Sequence, residues 1–195
     1  MIAIVNSGVA NLASLGFALE RLGKDFVVTD DPELVERASH VILPGVGAAS
    51  AAMPRLRRKG MAKRLAQLTQ PVLGICLGMQ LLFNHSEEGN VELLNIIPGQ
   101  VTSFPASANL IVPHMGWNTV RATKRNALLK DLPEEAYFYF VHGYVVPLGD
   151  FTAATTFYGE MFSSVVEHSN FFGCQFHPER SGPEGRQVLA NFVSL

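Results

Sequence analysis

Runs that are apolar throughout recur along the first part of the chain: IAIV (Ile2 to Val5), DFVVT (Asp25 to Thr29), HVILPG (His40 to Gly45) and PVLGI (Pro71 to Ile75). Strands buried on both faces read this way. Between them the apolar residues take helical spacing. Leu12, Leu15, Leu19 and Leu22 share one face of a helix that Asn11 is suited to cap and Gly23 to end. A short segment from Pro32 to Ala38 and a longer one from about Ala49 to Leu68 complete the helical set. This βαβαβ alternation predicts an α/β fold with a parallel sheet covered on both faces.

From Val91 onward the pattern changes to shorter strand-like pieces broken by Pro and Gly. They include YFYFVHGYVV (Tyr137 to Val146), FTAATTFYG and FFGCQF (Phe171 to Phe176). They predict a more antiparallel extension of the same sheet. A final helix is expected over Pro183 to Val193, its proline near the first turn as helix starts favour. There is no internal repeat and no low-complexity segment, so residues 1–195 are read as a single domain.

Composition narrows the classes of function. With 195 residues, 48% of them hydrophobic, the chain can bury a sizeable core. A formal charge of -2 supplies no basic field of the kind that gathers nucleic acid or anionic membrane. No run approaches the roughly 18 apolar residues of a membrane span, and no positive charge precedes the first apolar run. A cytoplasmic protein is expected. The two cysteines, Cys76 and Cys174, form no disulfide framework and no CxxC pair, so both are expected reduced. The histidines show no metal-site spacing, and no metal or cofactor is expected.

The chemistry centres on GICLG, Gly74 to Gly78. This is a G-x-C-x-G string, the cysteine form of a nucleophile elbow, in which a buried strand turns sharply into a helix. Gly74 and Gly78 permit the close backbone approach, while Cys76 projects at the start of a helix expected to run on through Phe83. The positive end of a helix favours thiolate, the reactive form. A buried, inert cysteine is the competing reading of this stretch.

A nucleophile needs a base, and the base an orienting group. In FHPER, His177 and Glu179 follow a strand two residues apart. Pro178 between them favours extended geometry that turns both toward one side. His142, in VHGY, is the rival base. The strand HVIL runs into Pro44-Gly45-Val46-Gly47, at the same sheet edge as the elbow. There the backbone N–H groups of Gly47 and Leu77 are candidates for an oxyanion hole. The basic run RLRRKG (Arg55 to Gly60) reads as the solvated face of a helix.

LPGVG, GICLGMQLLF and FHPE, in that order, resemble the class I glutamine amidotransferases. That resemblance implies a flavodoxin-like α/β fold and a catalytic triad of Cys76, His177 and Glu179. Further stretches, ANLASL, LLFNHSEEG, VPHMGWN (Val112 to Asn118), YFVHGYVV and GCQFHPERSG, are similar to those members that serve histidine biosynthesis. Such a glutaminase hydrolyses glutamine through a cysteine thioester. It hands the ammonia to a separate (β/α)8-barrel cyclase subunit, which makes imidazole glycerol phosphate and AICAR. By the same matching, Gln80, Tyr144 and Ser181 would contact glutamine, while Asn11, Trp117, Tyr139 and Arg180 would face the cyclase. The chain departs from the pattern at Asn6-Ser7-Gly8, Ala49, Ile111 and Gly143. Gly143 stands where Ser or Thr is usual, which removes one expected contact to glutamine.

Two other functions fit parts of the chain. A stand-alone cysteine hydrolase would share the elbow, but HPE after the last strand argues against it. A silent regulatory subunit would keep the fold and lose a triad member, yet all three are present.

Overall fold

A computed structural model of the protein describes residues 1–8, 11–105 and 110–195. The four apolar runs are strands Ile2–Val5 (β1), Phe26–Thr29 (β2), His40–Gly45 (β3) and Val72–Cys76 (β4). Helices Leu12–Glu20 (α1), Pro32–Arg37 (α2), Ala49–Arg58 (α3) and Met61–Leu65 (α4) lie between them. A single turn of helix, Leu77–Gln80 (α5), follows β4 directly. Next come short strands His85–Ser86 (β5), Val91–Glu92 (β6) and Gln100–Ser103 (β7), then long ones at His114–Ala122 (β8) and Glu135–His142 (β9). Strands Tyr144–Val145 (β10), Thr152–Tyr158 (β11), Glu160–His168 (β12) and Phe171–Cys174 (β13) follow, and helix Gly182–Phe192 (α6) comes last.

Among the described residues the strands form a nine-stranded sheet in the order β2-β1-β3-β4-β13-β12-β11-β8-β9 and a four-stranded sheet β10-β7-β5-β6. The first five strands of the large sheet are parallel; from β13 outward every pairing is antiparallel. The α/β fold with an antiparallel extension is therefore present as the sequence pattern leads one to expect. Alternate residues of β1 feed different cores: Ile2 and Ile4 pack with α1 and α6, whereas Ala3 and Val5 pack with α3 and α4. No helix among the described residues is long and apolar enough to cross a membrane.

Local chemistry accounts for most element ends. Asn11 Oδ1 accepts from Ser14 N–H at the start of α1, and Asp31 does the same for Glu33 ahead of Pro32 in α2. Three expectations are corrected. The helix anticipated over Ala49 to Leu68 is two helices, because Gly60 takes a left-handed conformation (φ +70°) between them. The helix expected to run through Phe83 stops at Gln80. The carbonyls of Leu81, Leu82 and Phe83, which a longer helix would use, instead accept from the backbone N–H groups of residues 94–97. The stretch Tyr137 to Val146 is split at Gly143, with β9 in the large sheet and β10 paired with β7 in the small one.

Strand register positions the chemistry. Gly45 of β3 lies level with Cys76 of β4, and Cys174 of β13 lies level with Ile75. The loop after β3, the elbow after β4 and the turn after β13 therefore meet at one edge, the carboxyl end of the parallel strands where α/β sheets bind ligands.

Candidate active site

Cys76 sits at the strand-to-helix turn with φ +54° and ψ -111°, a backbone conformation that L residues rarely adopt. The flanking glycines make the turn possible. A Cβ at Gly74 would lie 2.6 Å from the Gly78 carbonyl oxygen, and one at Gly78 would overlap the Leu43 carbonyl oxygen. The elbow helix is one turn long, so the local N–H groups, rather than a long helix dipole, set the field at the sulfur.

His177 follows β13 in an extended conformation, and a 3-10 turn, Pro178–Arg180, swings Glu179 back onto it. His177 Nδ1 is 2.9 Å from Glu179 Oε1, with both side chains almost fully buried. The pair is close, as the sequence suggests, though a tight turn rather than extended spacing brings it together. The second ring nitrogen, Nε2, is buried and makes no well-formed hydrogen bond, but it lies near enough to Cys76 for the sulfur to act on its charge. Burial alone would lower the imidazole. The neighbouring Cys76 sulfur and Glu179 carboxylate outweigh it and hold His177 up at about 10. Nδ1–H therefore donates to Glu179, and the ring is an imidazolium at neutral pH.

The cavity beside Cys76 measures about 140 Å³ and is lined by Gly47, Leu77, Gln80, Glu88, Tyr144 and the Val141–Gly143 segment. That is well under the roughly 300–1,000 Å³ of drug-sized ligand pockets, so it suits a small substrate. A larger groove of about 750 Å³ between α1 and α6 touches the back of Glu179 but contains neither Cys76 nor His177. Gly47 has φ +89° and open space where a side chain would stand, which leaves its loop free to present backbone to the cavity.

Gln80 and Tyr144 line the cavity; Ser181 does not. Ser181 is fully buried, its hydroxyl donating to the His177 carbonyl at 2.6 Å and accepting from Tyr139 N–H at 3.0 Å. The structure thus corrects its expected contact with glutamine: Ser181 ties the His177 turn to β9. Glu88, which the sequence reading passed over, is the acidic side chain on the cavity wall. Burial raises its carboxyl, and Ala49 N–H donates to it at 3.3 Å. Its place in a loop gives no spacing signal.

The rival base is ruled out by its surroundings. His142 Nδ1–H donates to the Tyr144 carbonyl at 2.8 Å, so its Nε2 must accept, and it does so from His114 Nδ1 at 3.0 Å. His114 Nε2 in turn accepts from the Asn118 amide at 3.2 Å. Burial lowers His142 to about 3 and His114 to about 4, leaving both uncharged. Cys174 is fully buried, and burial pushes its thiol well up, followed by the charges of Glu179 and Cys76. It has no access to substrate.

Next to the site lies an apolar outer face. Trp117 and Tyr139 are register partners on β8 and β9, with ring centroids 6.3 Å apart, and the Arg180 guanidinium stands 4.7 Å over the Tyr139 ring. Met115 and Tyr137 extend this face and are exposed. They occupy the same alternate positions as Trp117 and Tyr139, so strand periodicity could have found them. Asn11, besides capping α1, borders a small void with His177 and Glu179.

A family model described as glutamine amidotransferase class-I matches residues 3–195. The chain is 50% identical to the imidazole glycerol phosphate synthase subunit HisH of Idiomarina loihiensis, covering 100% of this chain and 97% of that one. It is 47% identical to the subunit of the same name from Buchnera aphidicola subsp. Schizaphis graminum, covering 100% and 99%. A solved glutamine amidotransferase structure superposes with a TM-score of 0.77 at 17% identity, covering 100% of this chain and 98% of that one, which supports the fold. With a buried Cys76, a His177–Glu179 pair and a small cavity converging at one sheet edge, the chain belongs to the class I glutamine amidotransferase family, in the company of the HisH subunits.

Proposed function

We propose that the chain hydrolyses glutamine at Cys76 and releases the ammonia to a cyclase subunit of imidazole glycerol phosphate synthase. The observation that carries this reading is the buried His177–Glu179 pair beside Cys76. An imidazolium next to the sulfur favours thiolate, which attacks the side-chain carboxamide carbon of glutamine. The N–H groups of Gly47 and Leu77 receive the oxyanion, a contribution of about 2.7–4 kcal/mol per donor in comparable sites. His177 gives its proton to the departing ammonia, and a glutamyl thioester remains on Cys76. The imidazole, now neutral, takes a proton from water, whose oxygen attacks the thioester; glutamate leaves and the sulfur is restored. Glu179 orients His177 and stabilises its charged form throughout.

Gln80, Tyr144 and Glu88 hold the substrate's other end. Glu88 complements the α-ammonium of glutamine, because it is the acidic side chain on the wall of this small cavity. The cyclase, a (β/α)8 barrel, docks on the face of Trp117, Tyr139, Arg180 and Asn11. Exposed Trp117 and Tyr137, and Arg180 stacked on Tyr139, support this, since interface centres are rich in aromatic residues and arginine. The chain works in the cytoplasm, where its two unpaired thiols stay reduced.

The test is glutamate release from glutamine by the purified chain, alone and with the cyclase and its nucleotide ligand. Strong release with the partner that vanishes in Cys76→Ala supports the reading. Equal release in the Cys76→Ala variant would end it.

A further inference from the structure

Gln175 is completely buried and stands one residue past Cys174, which is register partner to Ile75. It is therefore beside Cys76 across the parallel strands. Its side-chain nitrogen is 3.6 Å from Cys76 Sγ. A glutamine amide can point either end at a neighbour, but here the surrounding network fixes the choice. The Tyr144 carbonyl only accepts, so the end of Gln80 that meets it at 3.1 Å is the NH2 group. That NH2 also meets Gln175 at 2.9 Å, so the Gln175 atom facing it is the oxygen. The NH2 of Gln175 is left facing the sulfur. His142 Nδ1–H shares the Tyr144 carbonyl and so anchors the far end of the series.

We propose that Gln175 is a further catalytic residue, whose amide N–H donates a hydrogen bond to the Cys76 sulfur and stabilises its thiolate. The assignment rests on the reading of Cys76 as nucleophile. The sulfur needs such a donor, because the Val141 carbonyl oxygen stands 3.8 Å away, where it accepts from a thiol and repels a thiolate. An amide donor offsets that repulsion without adding a charge or competing with His177 for the proton. It acts twice in the cycle: before attack, when the sulfur is anionic, and at thioester hydrolysis, when the C–S bond breaks and the electron pair returns to sulfur. The titratable groups around the sulfur, His177, Glu179, His142, Cys174 and Glu88, are all retained in the variants, and Gln175→Met adds no charge, so a shift in that variant reports the amide itself.

The experiment compares Gln175→Met, which fills the space without a donor, with Gln175→Glu, which keeps the shape but turns a carboxylate toward the sulfur. Both are studied in the complex with the cyclase. Alkylation of Cys76 by iodoacetamide is followed as a function of pH, with Cys76→Ala identifying the modified site and thiolate absorbance as a second signal. The expected result is a profile displaced to higher pH in the order Gln, Met, Glu. At pH 7 the Met variant should react about tenfold to hundredfold more slowly, the range for losing one hydrogen bond to a charged group. Should Gln175→Met fail to fold, Gln175→Leu, likewise without a donor or a charge, takes its place. Profiles that match the parent in the folded variants, however far turnover falls, would overturn the assignment and leave Gln175 a packing residue. Alkylated Cys76 that still supports full glutamate release would instead remove the nucleophile, and this assignment with it.

Discussion

Glu179 and His177 lie two residues apart in sequence and are nearly sealed from water, so His177 depends on Glu179 to hold its charge. Glu179→Gln keeps the shape and removes the charge that helps hold His177 up. Turnover should fall by about a hundredfold or more, by analogy with loss of the orienting acid in a serine triad. The alkaline limb of the kcat/KM profile should move to lower pH. An unchanged limb would detach Glu179 from the histidine. Gly143 offers the opposite kind of test. A Cβ there meets only Val112 Cγ1, at 3.7 Å, so Gly143→Ser fits and restores a hydroxyl beside the cavity. The expected outcome is a KM for glutamine lowered several-fold with kcat little changed, the range of one neutral hydrogen bond; a raised KM would contradict it. The sharp turn at Cys76 and the closeness of His177 to Glu179 were legible in the sequence because each sits in a short local motif. Gln175 and Glu88 were not, because their partners come from other strands and loops and no spacing encodes them. FFGCQF did carry one clue: a single polar residue in an otherwise apolar strand.

At the scale of elements, the elbow is the most constrained piece of the fold. Gly78→Ala would drive a methyl group into the Leu43 carbonyl, a backbone atom of β3 that cannot rotate away. The expected loss is about 3 kcal/mol, the upper end for overpacking a tight site, read as a lower denaturant midpoint. Gly47→Ala makes a useful contrast: the added Cβ meets nothing, so its cost is limited to the left-handed backbone. The sequence named strands and caps well, since burial on both faces and side-chain caps are local signals. It missed where helices stop. α3 and α4 part at a left-handed Gly60, and α5 ends because residues 94–97 take the carbonyls that would have continued it. The second of these is a long-range event that no local periodicity records.

Across the whole molecule, three buried histidines give stability opposing dependences on pH. His177 is raised to about 10, so the stability it contributes is present below about 6.5 and is lost as pH rises toward 10. His114 and His142 are lowered to about 4 and about 3, so their contribution is present above about 6.5 and is lost as pH falls toward those values. Each limb has a slope of up to about 1.4 kcal/mol per pH unit for each titrating histidine. The melting temperature should therefore peak near neutral pH and fall on both sides; a curve that keeps climbing as pH falls to 5, or as it rises to 9, would contradict these environments. The same organisation concentrates function at one edge. Two cores, one on each face of the sheet, fix the parallel strands, and their carboxyl ends carry Cys76, His177 and the cavity beside them.

The most direct measurement is the mass of the Cys76 peptide after the complex is quenched in acid during glutamine turnover. A glutamyl adduct on Cys76, absent from Cys174 and from the Cys76→Ala variant, is the expected result. Glutamate released at the full rate with no adduct on Cys76 at any quench time, and undiminished in Cys76→Ala, would contradict it.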